Sequence, residues 1–388
     1  MNPVYLDHAA TTPMRPEVRV AMEPYQDTRF GNASSLHRWG REAAAALEGA
    51  RAKVAEALGA RPSEIVFVRG GTESDNLALF GSWRAGHAQG AAPCVAVTAI
   101  EHSAVLDAAA VLGDEGATVL VLGVAPDGSL DVDALASYLQ DEPGLISVMW
   151  VNNETGVRLP VEEVAAMGRA HGAIIHTDAA QAVGKLPVSV SDVPVDLLTA
   201  TGHKINGPKG TGILFVREGT PLHPLLHGGG QERKLRPGTE DVAGAVGFAT
   251  ALQLAVEEQA ATHRRLSALR TDFERKVTAA IAGARIRCSE GSRSPHVSSV
   301  GLPIVDGAGL LMALDLEGIA VSGGSACHSG AGAGSHVITA LYGADDPYTT
   351  VRFSFGHDTS GADIERAVDV TVAVVSRFPP LSGGASTS

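Results

Sequence analysis

Short, continuously apolar runs alternate with longer stretches of helical period through the first two thirds of the chain. The runs fall at residues 65–68, 95–98, 119–122, 146–151, 173–177 and 213–216. None shows the in–out alternation of a sheet with one wet face. Each therefore reads as a strand covered on both sides, and strands separated by helical segments read as a mostly parallel sheet. Helical period is clearest over 41–58, where Leu47, Val54 and Leu58 share a face and Gly59 stops the run, and over 161–171, closed by Gly172. Another helix resumes at about residue 77. Farther on, the pattern predicts two helices, 242–258 and 263–279. A region of shorter period follows, with strands at 297–300, 319–321 and 350–355 and helices at 307–316, 336–341 and from 362. The expected organisation is a large α/β domain over 14–258, a smaller α/β domain over 259–378 closed by residues 1–13, and a small, polar tail, 379–388, without order.

In such sheets ligands sit at the carboxyl ends of the strands. Thr72, His102, Asn153 and Asp178 all stand there, within four residues of the end of an apolar run. Gly70-Gly71-Thr72, between a strand and a helix, can cradle a phosphate with backbone N–H groups, a hydroxyl and the helix dipole, or can be a tight turn capped by Thr72. Residues 199–212, Thr-Ala-Thr-Gly-His-Lys-Ile-Asn-Gly-Pro-Lys-Gly-Thr-Gly, line up a hydroxyl, a glycine, an imidazole and an amine at Thr201, Gly202, His203 and Lys204. An amine beside small donors suits a lysine joined to an aldehyde cofactor whose phosphate the donors hold; a solvated lysine in a glycine-rich turn is the plain alternative.

Other residues carry the same two-sided reading. His102 can stack on an aromatic ring or serve as a structural histidine. Asp178 can face a protonated pyridine nitrogen or cap a helix, and Gln181 can reach that ring's phenolic oxygen. Arg352, in Val-Arg-Phe-Ser-Phe, suits a substrate carboxylate or a structural ion pair. Cys327 stands at the edge of a glycine- and alanine-only run rather than in an apolar stretch, which favours a reactive thiol over a core residue. Cys94 opens an apolar strand and reads as core, and Cys288 carries no signal.

Charge and cysteine usage narrow the class. A formal net charge of −13 and a pI near 5.5 argue against nucleic-acid or anionic-membrane partners. Three scattered cysteines make neither a disulfide framework nor a zinc site. The N-terminus lacks a secretory pattern and no apolar run reaches membrane-spanning length, so a cytoplasmic location is expected.

Taken together, these stretches resemble the pyridoxal-phosphate-dependent cysteine desulfurases, the NifS/IscS-like group of the class V aminotransferases. The matching segments run from Tyr5-Leu-Asp-His-Ala-Ala-Thr-Thr-Pro through Gly71-Thr-Glu-Ser-Asp-Asn, Glu101-His, Val151-Asn-Asn-Glu, Asp178-Ala-Ala-Gln and His203-Lys-Ile-Asn-Gly-Pro-Lys-Gly. They continue through Gly228-Gly-Gly-Gln-Glu and Ser325-Ala-Cys to Arg352-Phe-Ser-Phe-Gly. The resemblance implies a fold-type I homodimer using pyridoxal 5′-phosphate. Lys204 would hold the cofactor covalently, His102 would stack on its ring, and Asp178 and Gln181 would contact the ring nitrogen and oxygen. Gly71, Thr72, Thr201, Gly202 and His203 would surround the phosphate, with Thr239 reaching from the partner subunit. Asn153 and Arg352 would orient L-cysteine, and Cys327 would take its sulfur as a persulfide, leaving L-alanine. The sulfur would pass to an acceptor protein serving iron–sulfur cluster assembly or tRNA thiolation. No structural metal is expected, only a transient iron–sulfur contact at Cys327. Two departures stand out: Arg236-Pro-Gly-Thr where the family often has Arg-Ser-Gly-Thr, and Gly330-Ala-Gly-Ala-Gly where the cysteine loop usually continues through a Leu-Glu-Pro-like segment. A selenocysteine lyase, an aminotransferase of the same class and a non-catalytic scaffold subunit are the alternatives; the thiol at Cys327 and the full set of candidate ligands favour desulfuration.

Overall fold

A computed structural model describes residues 3–88, 94–141, 144–323 and 334–379. In chain order the strands are β1 Val4–Tyr5, β2 Ile65–Val68, β3 Cys94–Thr98, β4 Thr118–Leu122, β5 Leu145–Ser147, β6 Ile174–Asp178, β7 Leu197–Thr201, β8 Gly212–Val216, β9 Arg285–Ile286, β10 Val297–Leu302, β11 Ile319–Ala320 and β12 Thr349–Ser354. The helices are α1 Pro16–Gln26, α2 Arg38–Leu58, α3 Gly71–Ala88, α4 Ser103–Asp114, α5 Val132–Asp141, α6 Val161–Ala170, α7 Val242–Ala280, α8 Gly307–Leu316, α9 His336–Tyr342 and α10 Gly361–Val375.

A seven-stranded sheet in the order β2-β8-β7-β6-β5-β3-β4 forms the centre. Pairs from β4 through β7 are parallel, whereas β8 runs antiparallel to both β7 and β2. The pleat explains why its strands read as unbroken apolar runs: successive side chains enter opposite cores. Ile65, Ala96, Ile213 and Phe215 pack with α2, α6 and the first half of α7. Val66, Val68, Val95, Val97 and Leu214 pack on the other face against α3 and α4.

A third cluster gathers Val4 and Leu6 with Leu266, Phe273 and Val277 of α7, Phe353 and Ile364. Here β10 lies between β12 and β9, both antiparallel to it, and β1 pairs in parallel with β11. Helix α7 serves two of these cores, because Phe248 and Leu252 belong to the first. It is one helix of 39 residues, about 58 Å long, where two were expected. The apolar period lapses near Glu257, but Glu-Glu-Gln-Ala-Ala-Thr-His contains no helix breaker, and a polar turn interrupts packing without interrupting hydrogen bonding. Two other boundaries shift. Helix α3 starts at Gly71 rather than near residue 77, and β5 stops at Ser147, although Val148 and Trp150 still donate to His176 O and Asp178 O. Among the described residues no helix is long and apolar enough to cross a membrane.

Candidate active site

The carboxyl ends of β2, β3, β5, β6 and β7 share one edge of the sheet, and a cleft of about 270 Å³ opens there. Its most constrained wall is the turn after β7. A 3-10 turn over Gly202–Lys204 is drawn tight by Ile205 N and Gly207 N, which both donate to Gly202 O at 3.0 and 2.9 Å. Only glycine fits at 202: an added Cβ would lie 2.8 Å from Thr211 Oγ1 and 2.9 Å from Pro208 O. The N-terminal arm clamps the turn from outside. Thr12 N and Oγ1 both donate to His203 O, and Asn206 N donates back to Thr12 Oγ1 at 2.8 Å. The amine of Lys204 is thereby aimed at the cleft, where it donates to Ala9 O at 2.6 Å and Ala10 O at 2.7 Å.

Opposite stand two buried carboxyls. Asp178 Oδ1 accepts from Ala180 N at 2.9 Å, but turns and not a helix follow β6, so this is an Asx turn in place of the helix cap, and the group still lines the cleft. Burial raises its pKa, and the positive ends of His102 and Lys204 oppose the rise. Asp75 lies deeper; burial and then Asp178 push it well above the ordinary carboxylate range. Two carboxyls sharing a buried site cannot both ionise. Asp75 is therefore the protonated member, and Asp178 is the one able to hold charge towards a cation in the cleft. His102 caps α4, its Nδ1 accepting from Ala104 N at 3.1 Å, and burial lowers its pKa. The proton thus sits on Nε2.

At the other end, Gly71 and Thr72 form the first turn of α3, and with Thr201 and His203 they line both the cleft and an adjoining hollow. Free N–H groups of a helix start and flanking hydroxyls are a ready anion site. Thr201 Oγ1 donates to Thr211 O at 3.2 Å, and His203, held near pKa 4 by burial and the nearby lysines, shares its Nδ1 with Thr11 Oγ1 at 3.2 Å. Arg352 enters from β12. Its Nη2 meets Asp7 Oδ1 at 2.7 Å and its Nη1 donates to Asn153 O at 3.0 Å, while its buried Nε has no partner among the described residues. The structural ion pair and a free donor thus coexist on one guanidinium.

The fold therefore brings Gly71, Thr72, His102, Asn153, Asp178, Gln181, Thr201, His203, Lys204 and Arg352 to one cavity. Gly202 stands behind it, its N–H committed to Thr211 O at 3.0 Å. Thr239 is exposed and does not line this chain's own cleft. Cys327 lies outside the described residues. Of the other thiols, Cys94 opens β3 half-buried and Cys288 is buried at φ 54° against the Tyr342 hydroxyl. Among the described residues no group of three or more His, Cys, Asp or Glu is placed to hold a metal.

Sequence reasoning missed the carbonyls of Ala9 and Ala10, Asp75, and His336 at the start of α9, all of which line the cleft. His336 Nε2 donates to Glu101 O at 2.9 Å. Asp75 lay within the quoted Gly71–Asn76 motif, but nothing in local pattern tells a buried aspartate from a helix-surface one.

The residues present fit a phosphorylated pyridine aldehyde: an amine, a chargeable buried carboxylate, a flat imidazole and a helix-start anion site line one cleft. Comparison with known proteins agrees. The family model described as "Aminotransferase class-V" matches residues 4–367. The chain is 40% identical to the cysteine desulfurase IscS of Dictyoglomus turgidum over 98% of its own length and 96% of that protein. Among solved structures it resembles a NifS-like protein, with 32% identity, a TM-score of 0.90 and coverage of 97% and 100%. It also resembles SspA in complex with cysteine, with 33% identity, a TM-score of 0.79 and coverage of 91% and 98%.

Proposed function

This chain belongs to the class V aminotransferase family, and on that footing we propose that it is a pyridoxal-phosphate-dependent cysteine desulfurase. The reading is carried by the convergence of Lys204, Asp178 and Arg352 in one cleft. When bound, the cofactor supplies the electron sink that loosens the bond to sulfur. Lys204 is the residue to hold it covalently. Asp178 would offer a carboxylate to its ring nitrogen, His102 a flat face, and Thr72, Thr201 and His203 would hold its phosphate. Asn153 and the Arg352 guanidinium orient the carboxylate of L-cysteine.

The sulfur acceptor is Cys327. Its thiolate forms a bond to the substrate sulfur as the carbon–sulfur bond breaks and the carbon takes a proton, giving L-alanine and a Cys327 persulfide. Support comes from the flanks of its segment: Ser322 exchanges backbone hydrogen bonds with Arg352, and His336 lines the cleft. The persulfide then passes to an acceptor protein, in the cytoplasm, for iron–sulfur cluster assembly or tRNA thiolation. The active form is a homodimer of chains with a large unit, 14–258, and a small unit, 1–13 with 259–378. Exposed Phe30, Leu36 and Trp39 mark a face for a second copy, and Thr239 would complete the partner's phosphate site.

Cys327→Ser tests the reading. The variant should keep the cofactor's visible band and still shift it on adding cysteine, yet carry no persulfide by mass spectrometry and release no sulfide. Borohydride reduction of the parent should leave the cofactor mass on the peptide containing Lys204. Alanine formed at the parental rate by the variant, or a cofactor mass on Lys185 or Lys209, would refute it.

A further inference from the structure

Gln181 is the cleft residue whose chemistry depends on which way its side chain is turned. An amide presents donors at one end and an acceptor at the other, in nearly the same shape. Here the choice is made from behind. One end lies 2.9 Å from Ala9 O, which can only accept, so that end is the nitrogen. The oxygen at the other end is 2.8 Å from Lys185 Nζ and 3.0 Å from His296 Nε2. His296 must then carry its proton on Nε2, and its Nδ1 accepts from the buried Ser294 hydroxyl. His296 stands just before β10 and is 1% exposed, whereas Lys185 follows the turn after β6. Two elements distant in sequence thus grip the same oxygen. Burial lowers both groups well below their ordinary pKa values; the imidazole donates from Nε2 when neutral, and the lysine donates in either state.

We propose that His296 and Lys185 are positioning residues that turn Gln181 so that its second amide N–H faces the cleft, as a donor to the phenolic oxygen of pyridoxal phosphate. The assignment rests on reading Gln181 as a cofactor contact. One of its two N–H groups is occupied by Ala9 O, and the other has no partner among the described residues. A donor there stabilises the oxygen as an anion and lowers the pH at which the cofactor's visible band titrates. A flipped amide would present its own oxygen instead and repel that anion.

The test uses cofactor-loaded protein carrying Gln181→Leu, His296→Leu, Lys185→Met or His296→Gln, together with the two combinations of Gln181→Leu with His296→Leu and with Lys185→Met. The midpoint pH of the visible band is measured, along with the cofactor dissociation constant from titration of apoprotein. Gln181→Leu should raise the midpoint by about one unit and weaken binding about tenfold, the loss of one hydrogen bond to a charged acceptor. His296→Leu and Lys185→Met should each move the midpoint in the same direction. His296→Gln, which keeps an N–H for Gln181 and an acceptor for Ser294, should restore it. Added to Gln181→Leu, neither change should move the band further, because both act through Gln181. Lys185 is only partly buried, so Lys185→Met carries the test alone if His296→Leu does not fold. Parental midpoints in both single variants beside a shifted Gln181→Leu would overturn the inference while leaving the cofactor reading intact. Shifts that simply add to that of Gln181→Leu would overturn it too. An unmoved band in Gln181→Leu itself would remove the contact and the inference with it.

Discussion

Gly202→Ala probes how firmly the turn before Lys204 is held. The new Cβ would sit 2.8 Å from Thr211 Oγ1, 2.9 Å from Pro208 O and 3.2 Å from Phe248 Cδ2. The two nearest atoms are themselves hydrogen-bonded at 2.9 Å, and one is backbone, so neither can swing away freely. Relief means breaking that bond, at about 0.5–1.5 kcal/mol, or shifting the turn, within the ~1–3 kcal/mol typical of overpacking. About 2 kcal/mol is expected, a fall of roughly 2–3 °C in the thermal midpoint of the 388-residue apoprotein. A displaced turn also carries the Lys204 amine away from Ala9 O and Ala10 O, so cofactor affinity should fall as well. Gly49→Ala is the control. Gly49 lies exposed within α2 with nothing within 4 Å of its added Cβ. Alanine there should stabilise the helix by ~0.5–1 kcal/mol. Differential scanning fluorimetry and cofactor titration of both variants decide the matter. A Gly202→Ala protein melting within 1 °C of the parent and binding cofactor equally well would show that the turn is not sterically constrained as described.

Two further outcomes are expected. Mixed dimers of a Lys204→Ala chain and a Thr239→Ala chain should hold one doubly defective site and one intact site, recovering activity that neither parent variant shows; no recovery would place Thr239 in its own subunit's site. Glu101, raised to about 8 by burial, stays protonated in the fold while the unfolded chain ionises from about 4.5. The folded state then binds more protons, so this group lowers stability as pH rises from about 4.5 to about 8 and has a level effect above that. Glu101→Gln, neutral in both states, should gain on the parent across that window by at most about 1.4 kcal/mol per pH unit, as read by chemical unfolding at pH 5 and pH 7.5. Parallel pH dependences would rule out burial as the cause.

Local pattern was enough to locate six of the seven strands of the central sheet, since a strand covered on both faces is apolar throughout; β7, Leu197–Thr201, was missed, because its threonines and alanine leave only a two-leucine apolar run. It was enough, too, to pick out Lys204, Asp178, Thr72 and Arg352, whose residue types stand out against the apolar runs they end or interrupt. Strand direction was not legible: β8 runs against its neighbours because the chain turns back through the short Ile205–Thr211 loop, and no periodicity records that reversal. Nor did the lapse of apolar period near Glu257 reveal that α7 continues, because packing and helical hydrogen bonding are separate conditions. The partners of the site residues were decided by tertiary structure alone. Lys204 meets carbonyls 194 and 195 residues away, Gln181 meets His296 across 115, and Arg352 meets Asp7 across 345. Residue identity states which groups can donate or accept; only the closing of the arm and of β10 onto the sheet edge decides which of them meet, because such long-range pairings depend on how whole elements pack and not on any local repeat.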